Sequence, residues 1–320
     1  MKQDCGKGID MKLMYRCGKE SLAVVFLADF GGGRYLEFVE ALEPPKPRSK
    51  KWVLIVSSMF GCPVKCAFCD AGGDYRGRCS EGEIFEQIDY LVRLRFPELE
   101  VGVEKFKVQF ARMGEPALNP AVLSVLRELP RRYRAPGLMP AVSTIAPQGS
   151  EDFFEELLEI NHEIYRGRFQ LQFSLHTTDA ALRDRLIPAK KMDFRWIANY
   201  GKRFFIPGGR KVTLNFALAE GAKIDTKVLI EHFDPEVFLI KVTPVNPTIT
   251  ASVNGVVSAV TQGYKPELVK RIESEGYQVI LSIGELEENR IGSNCGMLLR
   301  RFLSSRESFT KSYSYELEVL

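Results

Sequence analysis

The sequence predicts an α/β protein in which parallel strands alternate with helices. Three observations carry that expectation. Short apolar runs recur along the chain, amphipathic runs at helical spacing lie between them, and a loop with three closely spaced cysteines follows the first run of the series. The length of 320 residues divided by about 150 gives roughly two domains, and one barrel-like α/β domain also reaches this size. Apolar residues make up 45% and charged residues 27% with a net charge of +3, which excludes disordered and collagen-like chains. A charge of +3 does not argue for nucleic acid and leaves room for a local basic patch. No apolar run approaches the ~20 residues of a membrane span. The opening MKQDCGKGID has acidic residues and no apolar core of a secretion signal, so a cytoplasmic location is expected. Seven cysteines, an odd and sparse set, point to metal or catalytic roles rather than a disulfide scaffold.

In chain order, residues 22–29 and 34–42 flank the turn Phe30-Gly31-Gly32-Gly33 and read as a β-hairpin. The proline-rich linker 43–49 breaks that pattern. Strands are expected at 52–58, 105–112, 138–145, 169–175, 211–218, 236–243 and 277–283. The clearest helix begins at Ser80, where Ser80 and Glu83 form a capping box and Ile84, Phe85, Ile88, Leu91 and Val92 make one apolar face. Further helices are expected at 118–129, 151–160, 193–204 and 266–275. Alternation of this kind gives right-handed βαβ units, either as an open doubly wound sheet or as a barrel. In both, ligands bind beyond the C-terminal ends of the strands. The expected division is an N-terminal β-hairpin extension over 1–50, a core over 51–284 and a C-terminal segment over 285–320.

The strand at 52–58 runs into Met59-Phe60-Gly61-Cys62-Pro63-Val64-Lys65-Cys66-Ala67-Phe68-Cys69. Three thiolates on one loop can hold three corners of a cuboidal iron–sulfur cluster and leave one iron open to a small ligand. A structural zinc site is the competing reading, but it wants four ligands and only Cys79 lies nearby. Polar groups then recur at the ends of later strands. They are Gly114-Glu115-Pro116, Ser143-Thr144, Phe173-Ser174-Leu175-His176 and Pro244-Val245-Asn246-Pro247. Arg183-x-x-Leu186-Ile187-Pro188 follows the histidine segment, and Ser293-Asn294-Cys295-Gly296 follows the last strand.

The cysteine loop, with Phe68 before Cys69, resembles that of the radical S-adenosylmethionine (SAM) enzymes. From about residue 34 to about residue 300 the motifs resemble the RlmN/Cfr group of adenosine methyltransferases acting on ribosomal or transfer RNA. The resemblance implies a partial (β/α)6 barrel with a small N-terminal hairpin extension, and a radical SAM core over 51–284. It implies a 4Fe-4S cluster on Cys62, Cys66 and Cys69. SAM would be bound by Gly114, Glu115, Ser143, Ser174, His176 and Asn246, and a reductant such as flavodoxin or ferredoxin would supply the electron. Cys295 would be the methyl-carrying thiol, methylated by one SAM and attacked by the radical from a second. A glutamate on the preceding strand handles a substrate proton in the group, and Glu37 and Glu40 are both candidates here.

Two departures from the group stand out. Its members resolve the protein–substrate crosslink with a cysteine seven residues before the first cluster cysteine, where this chain has Ile55, leaving Cys5, Cys17 and Cys79 as the remaining thiols. Only about 30 residues precede the hairpin, too few for the group's N-terminal RNA-binding domain. The basic clusters at 46–51, at Arg131, Arg132 and Arg134, and at Arg300-Arg301 read equally well as solvated surface or as phosphate contacts. The expected function is methylation of an unreactive carbon through Cys295, on a small molecule, lipid, peptide or RNA. Two rivals are an RNA adenosine methyltransferase with altered crosslink resolution and a non-catalytic iron–sulfur and SAM-binding sensor.

Overall fold

The computed structural model describes residues 11–260, 267–284, 286–305 and 310–320. Its strands, in chain order, are β1 (Lys12–Lys19), β2 (Ala23–Asp29), β3 (Tyr35–Ala41), β4 (Trp52–Val56), β5 (Met59–Cys62), β6 (Gly73–Arg78) and β7 (Phe106–Phe110). They continue with β8 (Leu138–Thr144), β9 (Gln170–Ser174), β10 (Val212–Leu218), β11 (Phe238–Pro244), β12 (Val279–Leu281) and β13 (Glu318–Val319). Eleven of them form one sheet in the order β12-β11-β10-β9-β8-β7-β4-β3-β2-β1-β13. From β4 through β12 every neighbouring pair is parallel, with Leu54 level with Val108, Val108 with Pro140 and Leu214 with Ile240. Helices such as Glu81–Arg95, Ala121–Arg132, Glu151–Ile160 and Phe194–Phe204 make the crossovers. This is the α/β partial barrel expected from the sequence, with β12 reduced to three residues.

The parallel strands fold this way because their outward residues are apolar at every second position. In β7, Phe106, Val108 and Phe110 are buried against the helices while Lys107 and Gln109 turn inward and stay half-buried. On the outer side Phe154 packs edge-on against Trp196 and Tyr200, with ring centroids 5.0 Å apart in both pairs. The capping box at the start of Glu81–Arg95 is formed from both sides. Ser80 Oγ accepts from Glu83 N at 3.2 Å, and Ser80 N donates to Glu83 Oε2 at 2.8 Å.

The N-terminal region differs from a two-stranded hairpin. β1 precedes it, and β1, β2 and β3 continue the barrel sheet as antiparallel neighbours, joined to it through Val39 opposite Ile55. β1 carries Lys12, Arg16 and Lys19 among its apolar residues and lies near the sheet edge, so its sequence lacks a clean alternation. The turn between β2 and β3 holds Gly31, Gly32 and Gly33 at φ of +78°, +63° and +76°, a run that side chains other than glycine rarely adopt. After the last barrel strand, helices Leu286–Ile291 and Met297–Ser304 pack back on β1, β2 and β3. Among the described residues no helix is long and apolar enough to cross a membrane.

Candidate functional site at the barrel mouth

The cysteine loop leaves β4 and is framed by the antiparallel ribbon of β5 and β6, where the sequence predicts a loop. Gly61 sits at φ +76°, where a Cβ would meet Gly73 O and Asp74 O at 2.7 Å, so the ribbon closes only over glycine. Two later segments brace the loop. Ala67 N donates to Leu186 O at 2.9 Å, which assigns the Arg183-to-Pro188 motif a supporting task. Arg183 itself donates to Met192 O and Ile145 O and lies over the Phe194 ring. Asp70 accepts from Ile249 N, Thr250 N and Thr250 Oγ1, Thr248 Oγ1 donates to Phe68 O at 2.9 Å, and Asn254 Nδ2 donates to Ala67 O at 2.8 Å. This clasp is invisible in sequence, because its partners are about 180 residues apart.

Cys62, Cys66 and Cys69 line one cavity of about 410 Å³ at the C-terminal ends of the strands. Gly114, Glu115, Ser143, Ser174, His176, Asn246 and Cys295 line the same cavity. Every residue taken from the sequence as a cluster ligand, SAM contact or methyl carrier therefore reaches one place. Glu37 and Glu40 do not line it.

The side chains have distinct settings. Glu115 is buried and accepts from Ala117 N at 3.1 Å, Ile145 N at 3.0 Å and Thr144 Oγ1. Burial pushes its carboxyl up to about 7, against the pull of those three donors. Gly114 stands at φ +95°, and a Cβ there would lie 2.6 Å from Met59 Cβ. His176, with φ +66°, accepts from Ala217 N at its Nδ1 at 3.0 Å, so its remaining ring proton sits on Nε2. Burial, helped by Arg183, holds the imidazole down to about 3, so it is neutral. Phe68 meets the His176 ring edge-on at 4.9 Å.

Cys295 Sγ lies 4.0 Å from Cys69 Sγ and donates to Arg112 O. Burial pushes the Cys62 thiol up to about 12 and raises Cys66, whereas the contact with Cys295 lowers Cys69. The Cys295 turn is pinned from beneath. Glu37, fully buried on β3, accepts from Gly296 N and from Leu299 N at 2.9 Å and pairs with Arg112 at 2.6 Å. Arg112 also donates to Ser293 O. Glu40 points to the opposite face of β3, where it accepts from Trp52 Nε1 at 3.1 Å and pairs with Arg95. Alternation along the strand separates the two carboxylates, and only Glu37 touches the Cys295 turn. Ile55, opposite Val39 and level with the inward Gln109, faces the barrel interior. Cys17 is buried beneath Ile291 O and Tyr315 O, and Cys79 is buried beside Glu83, so neither lines the cavity. Cys5 lies outside the described residues.

Gly296 shows how tightly the turn is seated. At φ +78°, a Cβ would fall 2.7 Å from Ala71 Cα and closer still to Ala71 N and Asp70 C. Gly296→Ala is expected to cost at least about 1–2 kcal/mol from backbone handedness alone, before the clash is counted. A lowered Tm together with loss of Cys295 reactivity checks it, and an unchanged Tm contradicts it.

The cavity fits a cluster and SAM. Among the described residues no three His, Cys, Asp or Glu side chains converge closely enough to hold a single metal ion, which is the arrangement a structural zinc needs. A cluster binds each thiolate at its own iron, so its three sulfurs stand farther apart than the ligands of one ion. Asn215 Oδ1 is buried without a donor on the wall of the cavity, an acceptor left open for an amino or hydroxyl group. Arg112 and Asn215 carry no signal in the sequence, because only tertiary register brings them here.

The chain is 28% identical over 284 residues to a protein of Desulfitobacterium hafniense strain Y51 named "Probable dual-specificity RNA methyltransferase RlmN", covering 86% of this chain and 75% of that one. A protein of the same name from Thermosynechococcus vestitus is 28% identical over 243 residues, covering 73% of this chain and 66% of its own length. No protein-family profile matches. Among solved structures, a radical SAM methyltransferase from Sphaerobacter thermophilus shares the fold with a TM-score of 0.67 at 19% identity, over 89% of this chain and 80% of that one. With likeness along most of its length to proteins named RlmN, the fold of a radical SAM methyltransferase and the three-thiol loop at the barrel mouth, this chain is similar to the RlmN/Cfr-like radical SAM enzymes.

Proposed function

We propose that the protein is a methyltransferase in which Cys295 accepts a methyl group and passes its carbon to an unreactive carbon of a substrate held in the barrel mouth. The observation that carries this reading is the seat of Cys295. Its sulfur lies 4.0 Å from that of Cys69 on the wall of the cavity, on a turn fixed by Glu37 and Arg112. When bound, the cluster and SAM supply an adenosyl radical and a methyl group. The chain's own residues do the rest. Cys62, Cys66 and Cys69 would hold the cluster. The carboxylate of Glu115 would accept the SAM ammonium, and neutral His176 would donate from Nε2 toward the ligand. Ser143, Ser174 and Asn246 offer hydroxyl and amide partners, and Phe68 closes one side.

Non-RNA substrates are favoured by Ile55, which puts no thiol where the group resolves its crosslink, and by two of the three basic clusters being paired at home. Lys46 and Lys51 pair with Glu43, Lys50 with Glu104, Arg48 with Glu40, Arg131 with Glu128, Arg132 with Asp89 and Arg134 with Glu100. The names of the relatives favour RNA as a second reading. Anaerobic reconstitution followed by SAM and a chemical reductant separates an enzyme from a sensor. Release of 5′-deoxyadenosine is expected, and a reconstituted protein that leaves SAM intact overturns the reading.

Glu115 makes SAM binding depend on pH. Its folded value of about 7 lies above the ordinary 4.5, so burial of the protonated carboxyl stabilises fully below about 4.5, and that contribution is lost as pH rises past about 7. SAM, arriving as a cation, prefers the ionised form, so its affinity should rise from about pH 6 to pH 8 and level off above. Titrations of SAM at both pH values check this. Glu115→Gln should bind weakly with no such rise, and the same rise in the variant contradicts the assignment.

A further inference from the structure

Beneath the cysteine loop the inner face of the barrel carries two lysines that make no ion pair. Gln109 of β7 lines the cavity, and alternation puts Lys107 on the same face, one pleat nearer the strand's N-terminal end. Lys241 of β11 lines the cavity as well, level with Asn215 of β10. Among the described residues neither ammonium makes an ion pair or hydrogen bond. Burial lowers the pKa of Lys107 well below the ordinary lysine value, and repulsion from Lys241, Lys51, Lys105 and Arg210 adds to it, with no carboxylate acting in the other direction. Lys241 feels one acid, Glu288, across the cavity but outside ion-pair range. Lys51 is paired with Glu43, whereas Lys105 and Arg210 border a second opening at the strands' N-terminal ends, and Arg210 Nε is buried without a partner. Arg132 and Arg203, by contrast, sit beside Asp89 and Glu155. Charges withdrawn from water without a partner are costly, and a neutral side chain would fill either position at less expense.

We propose that Lys107 and Lys241 form a phosphate subsite inside the barrel, so that the substrate presented to Cys295 carries a terminal phosphate. This rests on the reading that substrate occupies the cavity beside Cys295. Two compact ammonium groups carried on the inner faces of separate strands suit a dianion with several oxygens, whereas a flat carboxylate is matched by the fork of an arginine. A terminal phosphate enters a barrel end-on. A phosphodiester chain presents its charges along a surface, one to each linkage.

The test titrates inorganic phosphate into the full-length reconstituted protein at constant ionic strength against chloride, read by calorimetry and by thermal unfolding. Phosphate should bind and raise Tm, and Lys107→Met and Lys241→Met should each weaken binding at least about tenfold. Lys107→Met should also unfold at a higher temperature than wild type in phosphate-free buffer, because it removes a repelled charge. Absence of binding, or binding unchanged in both variants, overturns the subsite. If the variants fail to fold, the wild-type shift decides, and a Tm that phosphate moves no more than chloride overturns it. Displacement of phosphate by ribose 5-phosphate supports a small monoester, and displacement only by a 5′-hydroxyl RNA oligonucleotide overturns the terminal-phosphate assignment. Phosphate binding is read without SAM, and Cys295 methylation without phosphate, so failure of either is distinguishable from failure of the other.

Discussion

Replacing Cys66 by serine is expected to leave a folded protein that retains little iron and cleaves SAM more than about a hundredfold more slowly. Changes to groups that merely orient a metal ligand cost roughly 10–100-fold, and loss of a ligand itself costs at least that much. The fold should survive, because the loop is held by contacts that do not involve the thiols. Asp70 with Thr250, Thr248 with Phe68 O, Asn254 with Ala67 O and Ala67 N with Leu186 O all remain. Iron and sulfide content, visible absorbance and 5′-deoxyadenosine yield are the measurements. A Cys66→Ser protein with full iron and normal cleavage contradicts the assignment of that ligand.

Glu37→Ala is expected to destabilise by about 3–5 kcal/mol, the usual consequence of leaving one member of a buried ion pair alone. Arg112 would lose its carboxylate, and Gly296 N and Leu299 N would lose their acceptor, all in buried surroundings. Methylation of Cys295 should fall with it, because the turn is tied down at the residue that follows the thiol. Glu40→Ala offers the control. It leaves Trp52 Nε1 without its acceptor and takes from Arg95 the nearer of its two carboxylates, Glu20 remaining, all on the opposite face of β3, and should lower Tm while Cys295 chemistry continues. Denaturant titration together with mass mapping of Cys295 reads both effects. Equal loss of Cys295 methylation in the two variants contradicts the separation of the glutamates.

What the sequence could and could not reveal follows from the range of the interactions. The strand expected at 211–218 is β10, Val212–Leu218, legible because Val212, Leu214, Phe216 and Leu218 put an apolar residue at every second position. The cysteine loop was legible because its chemistry sits within eight residues of chain. The ribbon partner β6, Gly-Asp-Tyr-Arg-Gly-Arg, was not, since it is largely exposed and has no apolar alternation. Glu37 and Glu40 could not be told apart before the strand's facing was known. The support that Arg112 gives to Cys295 depends on a contact across 183 residues, which no local pattern records.

The most direct measurement is the mass of Cys295 after anaerobic reconstitution and incubation with SAM, compared with Cys295→Ala. One added methyl group is expected on the Cys295 peptide and none in the variant. Unmodified Cys295 in a protein that still releases 5′-deoxyadenosine contradicts the methyl-carrier role and assigns the barrel to different radical chemistry.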